Sequence, residues 1–379
     1  LRILQICAAY KPAFIYGGPT MSVSRLSEQL VEAGVTVQVF ATTANGKSEL
    51  PVAPGKTVNV DGVSVTYFKR LTKDHSHFSP SLFRRLWIDA KNYDVIHIHA
   101  WWNLVSICSA LIGTERGVPV LLSPRGTISS YTFNNRNISA KWLIHQLIGK
   151  WLLRKIKFHV TSKKEGDSII EIIKPKAVTE IPNFVAIPNE MFNSAPRSGH
   201  KFRLLFLSRI EEKKGLDLLI KALPLLQAPY LLTIAGAGNP AYIERLKQLA
   251  KSAGAEHNIS WIGFQGETKF NLLAEHDLLV LPSHDENFGN VVIESLSVGT
   301  AVLISKFVGL ADFVSENELG WECDPEERSV ADKIDWIYKN KPRLDIIRKK
   351  APELIRKEFN EERLVNRYID MYRSMIAGS

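Results

Sequence analysis

The window Leu281-Pro-Ser-His-Asp-Glu-Asn-Phe-Gly-Asn-Val-Val-Ile-Glu-Ser-Leu-Ser-Val-Gly-Thr300 concentrates the side chains best suited to chemistry. An apolar, strand-like run ends at Leu281, a polar loop carrying Gly289 follows, and an apolar helical pattern opens near Asn290. Such a junction leaves backbone N–H groups and the positive end of a helix at a sheet edge, which suits a phosphate. Two carboxylates flank it, Glu286 in the loop and Glu294 one turn into the helix. As a glycosidase acid/base pair they are badly spaced. Their separation in helix is about 12 Å at 1.5 Å per residue, against the roughly 5–5.5 Å of a retaining glycosidase. Ionised carboxylates only accept hydrogen bonds, so the pair reads better as hydroxyl acceptors at the two ends of an extended ligand.

The same window closely resembles the E-x7-E motif of retaining family 4 glycosyltransferases of the GT-B architecture. Further segments share the resemblance in family order: Ile15-Tyr-Gly-Gly-Pro19, Asp94-Val-Ile-His-Ile-His99, Thr161-Ser-Lys-Lys-Glu165, Ile181-Pro-Asn-Phe-Val185 and Phe206-Leu-Ser-Arg-Ile-Glu-Glu-Lys-Lys-Gly215. The resemblance implies that Arg209 and Lys214 grip the diphosphate of a donor, a fork and an ammonium together offsetting the charge that grows as the glycosidic bond breaks. It implies that Glu294 binds ribose hydroxyls, that Glu286 meets the donor sugar, and that Phe288, Gly289 and Asn290 supply backbone donors. Gly17 and Gly18 would let a loop approach the phosphates with no side chain in the way. Gly236-Ala-Gly238 and Gly263-Phe-Gln-Gly266 resemble the segments beneath the nucleobase, with Phe264 balanced between base contact and simple packing.

One position departs from the family. Many members carry a His-Gly pair at the reacting sugar where this sequence reads Ser123-Pro-Arg-Gly126, as a subset of relatives does. Arg125 therefore stands in place of the histidine. Arginine does not deprotonate at ordinary pH, so it is no general base, but it binds phosphate or an acceptor oxygen. His99 is a candidate for lining the site, although a satisfied histidine at a strand end is the commoner case; His97 reads as structural. No Asp-x-Asp pair holds a cation on the diphosphate, His75 and His77 lack ligand partners, and neither metal nor cofactor is expected. Arg209, Lys214 and a helix dipole would do the neutralising. The substrate would be a UDP-, GDP- or ADP-sugar.

Positioning these residues requires a particular scaffold. Short β-branched runs such as Ile3–Cys7, Val95–His99, Arg203–Ser208 and Leu278–Leu281 alternate with amphipathic stretches such as Thr20–Ala33 and Ala241–Ala253. That grammar predicts parallel sheets wound with helices. The expected class is α/β, as two facing Rossmann-like domains with a ligand cleft between them. The first domain spans 1–186 and takes the acceptor. A polar linker follows at 187–201, then a nucleotide-sugar domain at 202–360. A C-terminal helix, 361–379, packs back toward the first domain.

Composition narrows the partners. With 379 residues, 45% hydrophobic and 23% charged, the chain is neither disordered nor fibrous and fills two cores. The net charge of +9 is uneven: residues 1–190 carry 23 Lys and Arg against 13 Asp and Glu, whereas 191–379 carry 25 against 26. A basic first half suits a lipid-diphosphate-linked acceptor or an anionic membrane surface. The segment Ser139–Lys157, with Trp142, Trp151 and five cations, reads as a basic amphipathic helix, either interfacial or core-facing with a solvated edge. No nucleic-acid signature occurs. The uncharged run Val95–Thr114 contains His97, His99 and Asn103 and reads as strand plus helix rather than a span. Leu1 opens directly into a strand-like run with no secretory signal, and the missing Met suggests a processed or recombinant start. Three cysteines without ligand spacing favour a reducing cytoplasm, with peripheral attachment at the inner face of the cell membrane.

The expected activity is transfer of a sugar, with retention, to a glycan or lipid-linked acceptor in cell-surface polysaccharide assembly. Its rivals are a non-hydrolysing UDP-sugar epimerase and a non-catalytic glycan- or nucleotide-binding module.

Overall fold

A computed structural model describes residues 1–128, 149–188, 190, 192, 201–266 and 268–378. The chain divides into two units, Leu1–Phe184 with Glu361–Ser379, and Val185–Asn360. The first therefore ends at Phe184 rather than at 186, because the Phe184 ring stacks on Tyr368 while Val185 belongs to the core of the second.

The first unit is built on an eight-stranded sheet. Its strands in chain order are β1 (Arg2–Ile6), β2 (Thr36–Thr42), then, past a small hairpin of β3 (Ala44–Asn45) and β4 (Ser48–Glu49), β5 (Thr57–Val60), β6 (Val63–Phe68), β7 (Val95–His99), β8 (Val120–Ser123), β9 (Lys157–Val160) and β10 (Val178–Glu180). They lie side by side as β10-β9-β8-β7-β1-β2-β6-β5. All pairs are parallel except β5–β6. That antiparallel edge departs from the all-parallel expectation: β5 is short, mostly exposed, and returns through the turn at Asp61-Gly62, where both residues have positive φ. The central strands are buried on both faces, β7 along its whole length, as a sheet covered by helices on each side requires.

The second unit holds β11 (Phe202–Leu207), β12 (Tyr230–Ala235), β13 (Ile259–Gly263), β14 (Leu278–Leu281), β15 (Ala301–Ser305) and β16 (Gly320–Cys323), ordered β13-β12-β11-β14-β15-β16 and parallel throughout. This is the Rossmann order, and the winding reverses between β11 and β14, the point where such sheets open a crevice at their C-terminal edge. In the first unit the reversal falls between β1 and β7.

The helix Glu361–Ala377 packs on the first unit through Leu364, Tyr368, Tyr372 and Met375, and Arg25 holds Glu361 with two hydrogen bonds of 2.7 and 2.5 Å. Beneath that helix runs a buried chain of hydrogen bonds whose direction can be assigned. Gln5 Nε2 donates to the Tyr372 hydroxyl at 3.3 Å. That hydroxyl lies 2.8 Å from His97 Nδ1 and therefore donates to it. His97 Nε2 then donates to Ser123 Oγ at 2.6 Å, Ser123 to His159 Nδ1 at 2.6 Å, and His159 Nε2 to the Ile181 carbonyl at 2.8 Å. Each ring uses one nitrogen as donor and the other as acceptor, which only neutral imidazole allows. Burial depresses both rings accordingly, His97 well below the ordinary range and His159 to about 3, with the Arg125 charge adding to the effect.

A histidine held neutral in the fold but free to protonate when unfolded contributes stability above its unfolded pKa near 6.5 and loses it as pH falls toward the depressed folded value. The first unit should therefore lose up to about 1.4 kcal/mol per pH unit per buried histidine below pH ~6.5. Urea melts between pH 7 and pH 4 check this, and His159→Gln should flatten the slope. A flat profile in the wild type would contradict the assignment.

Candidate functional site

In the second unit the site forms where β11 and β14 end next to each other. Leu204 and Leu205 pair in parallel register with Leu278 and Leu279, so the loops 208–215 and 282–290 leave the sheet together. Three contacts join these loops. The His284 N–H donates to the Lys213 carbonyl at 2.8 Å. Gly215, in a left-handed turn at φ 69, lies so close to Pro282 that a Cβ there would meet the Pro282 carbonyl oxygen at 2.1 Å. The Lys214 ammonium donates to Glu286 Oε2 in a largely buried ion pair. Two groups far apart in sequence are thus brought into direct contact by strand order and one glycine.

The backbone of Glu286 is itself fixed. Its N–H donates to the Phe307 carbonyl at 3.1 Å, and its own carbonyl accepts from the Gly309 N–H at 2.8 Å. Burial pushes the Glu286 carboxyl up, but the Lys214 ammonium and its hydrogen bond, with Lys213 and Arg209 behind them, leave it net below the usual carboxylate range. Arg209 is half exposed and pairs with Glu211 at 2.6 Å. Lys213 is depressed by burial and by the Lys214 charge. The site therefore gathers three cations near the Glu286 carboxylate, with Glu211 a second carboxylate on Arg209. Immediately beyond it, Gly289 at φ 94 caps the helix Asn290–Ser297 without a side-chain cap, so the first turn presents its backbone end to the same edge.

The other expected residues fall as follows. Glu294 is half-buried against Lys269, whose ammonium donates to Oε1 at 2.7 Å. The Phe288 side chain is in the core, edge-on to Phe359, so only its backbone remains for a ligand. Gly236 has a structural reason to be glycine: at φ 151, a Cβ would lie 1.9 Å from the Ser208 carbonyl oxygen. Phe264 is 77% exposed, which removes simple packing as its explanation.

The first unit carries the remainder. Gly17, at φ 67, separates the turn Phe14–Tyr16 from the helix Gly18–Glu32, whose first residue is Gly18. Arg125 follows β8, the strand beside β7. Its Nε donates to His99 Nδ1 at 3.2 Å and its Nη1 to Asn183 Oδ1 at 2.7 Å. His99 is 3% exposed, and its Nε2 donates to Gln5 Oε1 at 2.6 Å. Both ring nitrogens are occupied, so His99 is no lining group; it acts on the surface only by holding Arg125. Sequence reading missed Gln5 and Lys269, and gave no role to Glu165, Asn183 or Lys213 although they lie in segments it singled out. Gln5 had a signal, being a polar residue inside an otherwise apolar strand. No described cluster of three or more His, Cys, Asp and Glu residues could hold a metal ion. The three cysteines are free.

The sequence profile of the group 1 glycosyl transferases matches residues 189–354, and that of glycosyltransferase family 4 matches residues 16–187. The chain belongs to glycosyltransferase family 4. This glycosyltransferase is 27% identical to glycogen synthase of Mycobacterium tuberculosis over 352 residues, covering 86% of this chain and 83% of the relative. Its GT-B fold is shared with sucrose-phosphate synthase of Thermosynechococcus elongatus (TM-score 0.77, 19% identity, 100% of both chains). HepE of Anabaena, solved with UDP and glucose, is also similar (TM-score 0.74, 17% identity, 98% of this chain and 99% of that one).

Removing one partner of a buried ion pair leaves the other charge uncompensated, a cost of roughly 3–5 kcal/mol, whereas removing both costs much less. In the ligand-free protein, Lys214→Met and Glu286→Gln should each destabilise the second unit, and the double variant should lose less than the sum by at least about 1 kcal/mol. Denaturant melts of the four proteins measure this, and strict additivity would show that the two groups do not interact.

Proposed function

We propose that this glycosyltransferase moves a sugar, with retention, from a nucleoside diphosphate sugar to a glycan or lipid-diphosphate-linked acceptor in cell-surface polysaccharide assembly. The observation that carries this is the Lys214–Glu286 pair at the switch point of the second sheet, with Arg209 nearby and the helix Asn290–Ser297 opening beside it. A diphosphate at that edge would meet the helix N-terminus and an ammonium already oriented by its carboxylate, the preorganised cationic surroundings that a departing phosphate needs. In this reading Glu286 orients Lys214 and accepts from a sugar hydroxyl, while Glu294, held by Lys269, accepts from the ribose. The leaving phosphate oxygen takes the acceptor's proton. No step calls for a metal, since Arg209, Lys214 and the helix end carry the counter-charge. UDP is the first base to test, because HepE, with the same fold, was solved with it.

The acceptor is assigned to the first unit, whose half of the chain holds the basic excess. Among the described residues no helix is long and apolar enough to cross a membrane. In this reading attachment is peripheral and draws on the cations around Lys150–Lys155, where Trp151 is 45% exposed beneath the Lys155 ammonium. The remainder of that basic segment, with Trp142, lies outside the described residues.

Calorimetric titration with UDP, UDP-glucose, GDP-mannose and ADP-glucose tests the donor assignment. At least one should bind, and Lys214→Ala should weaken it by at least about 10-fold, as loss of a charge-assisted phosphate contact does. Unchanged affinity would remove Lys214 from the diphosphate site. Donor incubated without acceptor should stay unconverted; its interconversion to an epimer would overturn transfer in favour of epimerisation.

A further inference from the structure

In the first unit, Arg125 is a partly buried cation that pairs with no carboxylate among the described residues. The two described arginines that are buried, by contrast, are paired with carboxylates. Arg70 donates to Glu49 at 2.8 Å and to the carbonyls of Gly46 and Ser48, and Arg348 lies 3.4 Å from Asp345 and 4.0 Å from Asp277. Arg125 instead bonds only to neutral groups, His99 Nδ1 and Asn183 Oδ1. Its acidic neighbour Glu165 forms no ion pair with it. The Glu165 oxygens accept from the Gly126 N–H at 2.8 Å, the Thr161 N–H at 2.9 Å and the Thr161 hydroxyl at 3.1 Å. No other described carboxylate pairs with Arg125, and residues 129–148 contain neither Asp nor Glu.

The turn is built to present this side chain. Arg125 has φ 51, a left-handed conformation that an L-residue other than glycine, Asn or Asp seldom adopts and that surrounding contacts must enforce. Glu165 enforces it by anchoring the next N–H. His99, fixed by Gln5, and Asn183 then orient the guanidinium. Five N–H donors belong to that group, and the two bonds to His99 and Asn183 leave the Nη1/Nη2 end, a planar fork matching the two oxygens of a carboxylate or phosphate. Arg125 is partly buried, so this end of the guanidinium stays open to a ligand, and no described carboxylate takes it up.

We infer that Arg125 is the receptor for an oxyanion, a carboxylate or phosphate ester carried on one of the sugar substrates. The word sugar rests on the transferase reading above; the anion does not. Recognition of charge here separates acidic substrates from neutral ones of the same shape, a role that a neutral histidine at this position could not fill.

Calorimetry on the full chain provides the test, using matched probes. UDP-glucuronic acid against UDP-glucose places the anion on the donor. Methyl glucuronide and glucose 6-phosphate against methyl glucoside, with and without UDP, place it on the acceptor. In at least one comparison the anionic probe should bind about 10-fold or more tighter than the neutral one. Arg125→Gln should reduce that preference below about 3-fold, and Asn183→Ala, which removes an orienting acceptor of the guanidinium, should reduce it part-way. No charge preference in any comparison, or a preference that survives in Arg125→Gln, overturns the inference. If Arg125→Gln does not fold, Asn183→Ala decides. The preference must also fall in that variant, which lacks the acceptor that orients Arg125, and a preference unchanged in it also overturns the inference. Failure of the UDP, GDP and ADP donors alike to bind the wild type would remove the nucleotide-sugar reading, while the UDP-free comparison would continue to test the anion receptor.

Discussion

The account depends on one contact: the Lys214 ammonium against the Glu286 carboxylate at the C-terminal ends of β11 and β14. Parallel strands bring the two loops off the sheet together, and the absence of a side chain at Gly215 lets the first loop lie against the Pro282 carbonyl. The carboxylate stays ionised despite burial because three cations surround it. This leaves the second unit with a lysine whose position is fixed before any ligand arrives. Such preorganisation is worth more in a dry site than the same charge on a mobile surface chain.

The first unit uses charge in the opposite way. Its buried network is made of neutral imidazoles, each donating on one side and accepting on the other, and it ties the helix Glu361–Ala377 to β1, β7, β8 and β9. Arg125 stands at the border of that network and adds to the depression of every histidine in it. Neutral surroundings cannot neutralise a guanidinium, which is why the arginine points to chemistry outside the chain.

Much of this was legible in the sequence. Alternating apolar strands and amphipathic helices indicated two wound parallel sheets, and the Leu281–Thr300 window marked the strand–loop–helix junction because its polarity changes abruptly at both ends. Other features were hidden for physical reasons. The antiparallel edge strand Thr57–Val60 has only four residues and no buried face to pattern it. The contacts of Lys214 with Glu286 and of Lys269 with Glu294 join separate loops and helices, and local periodicity carries no record of such pairings. His99 read as a satisfied histidine more readily than as a site one, and its bond to the Gln5 side chain on the neighbouring strand bears that out. Gly236 resembled a ligand-binding glycine, yet the observed reason for it is the Ser208 carbonyl beside it.

A crystal structure of the full chain with UDP tests the central claim most directly. The account predicts the terminal phosphate within about 2.7–3.2 Å of Lys214 Nζ or a backbone N–H of the first turn of Asn290–Ser297, with the ribose at Glu294. Density for UDP anywhere else, with the Lys214–Glu286 pair untouched by phosphate, would contradict it.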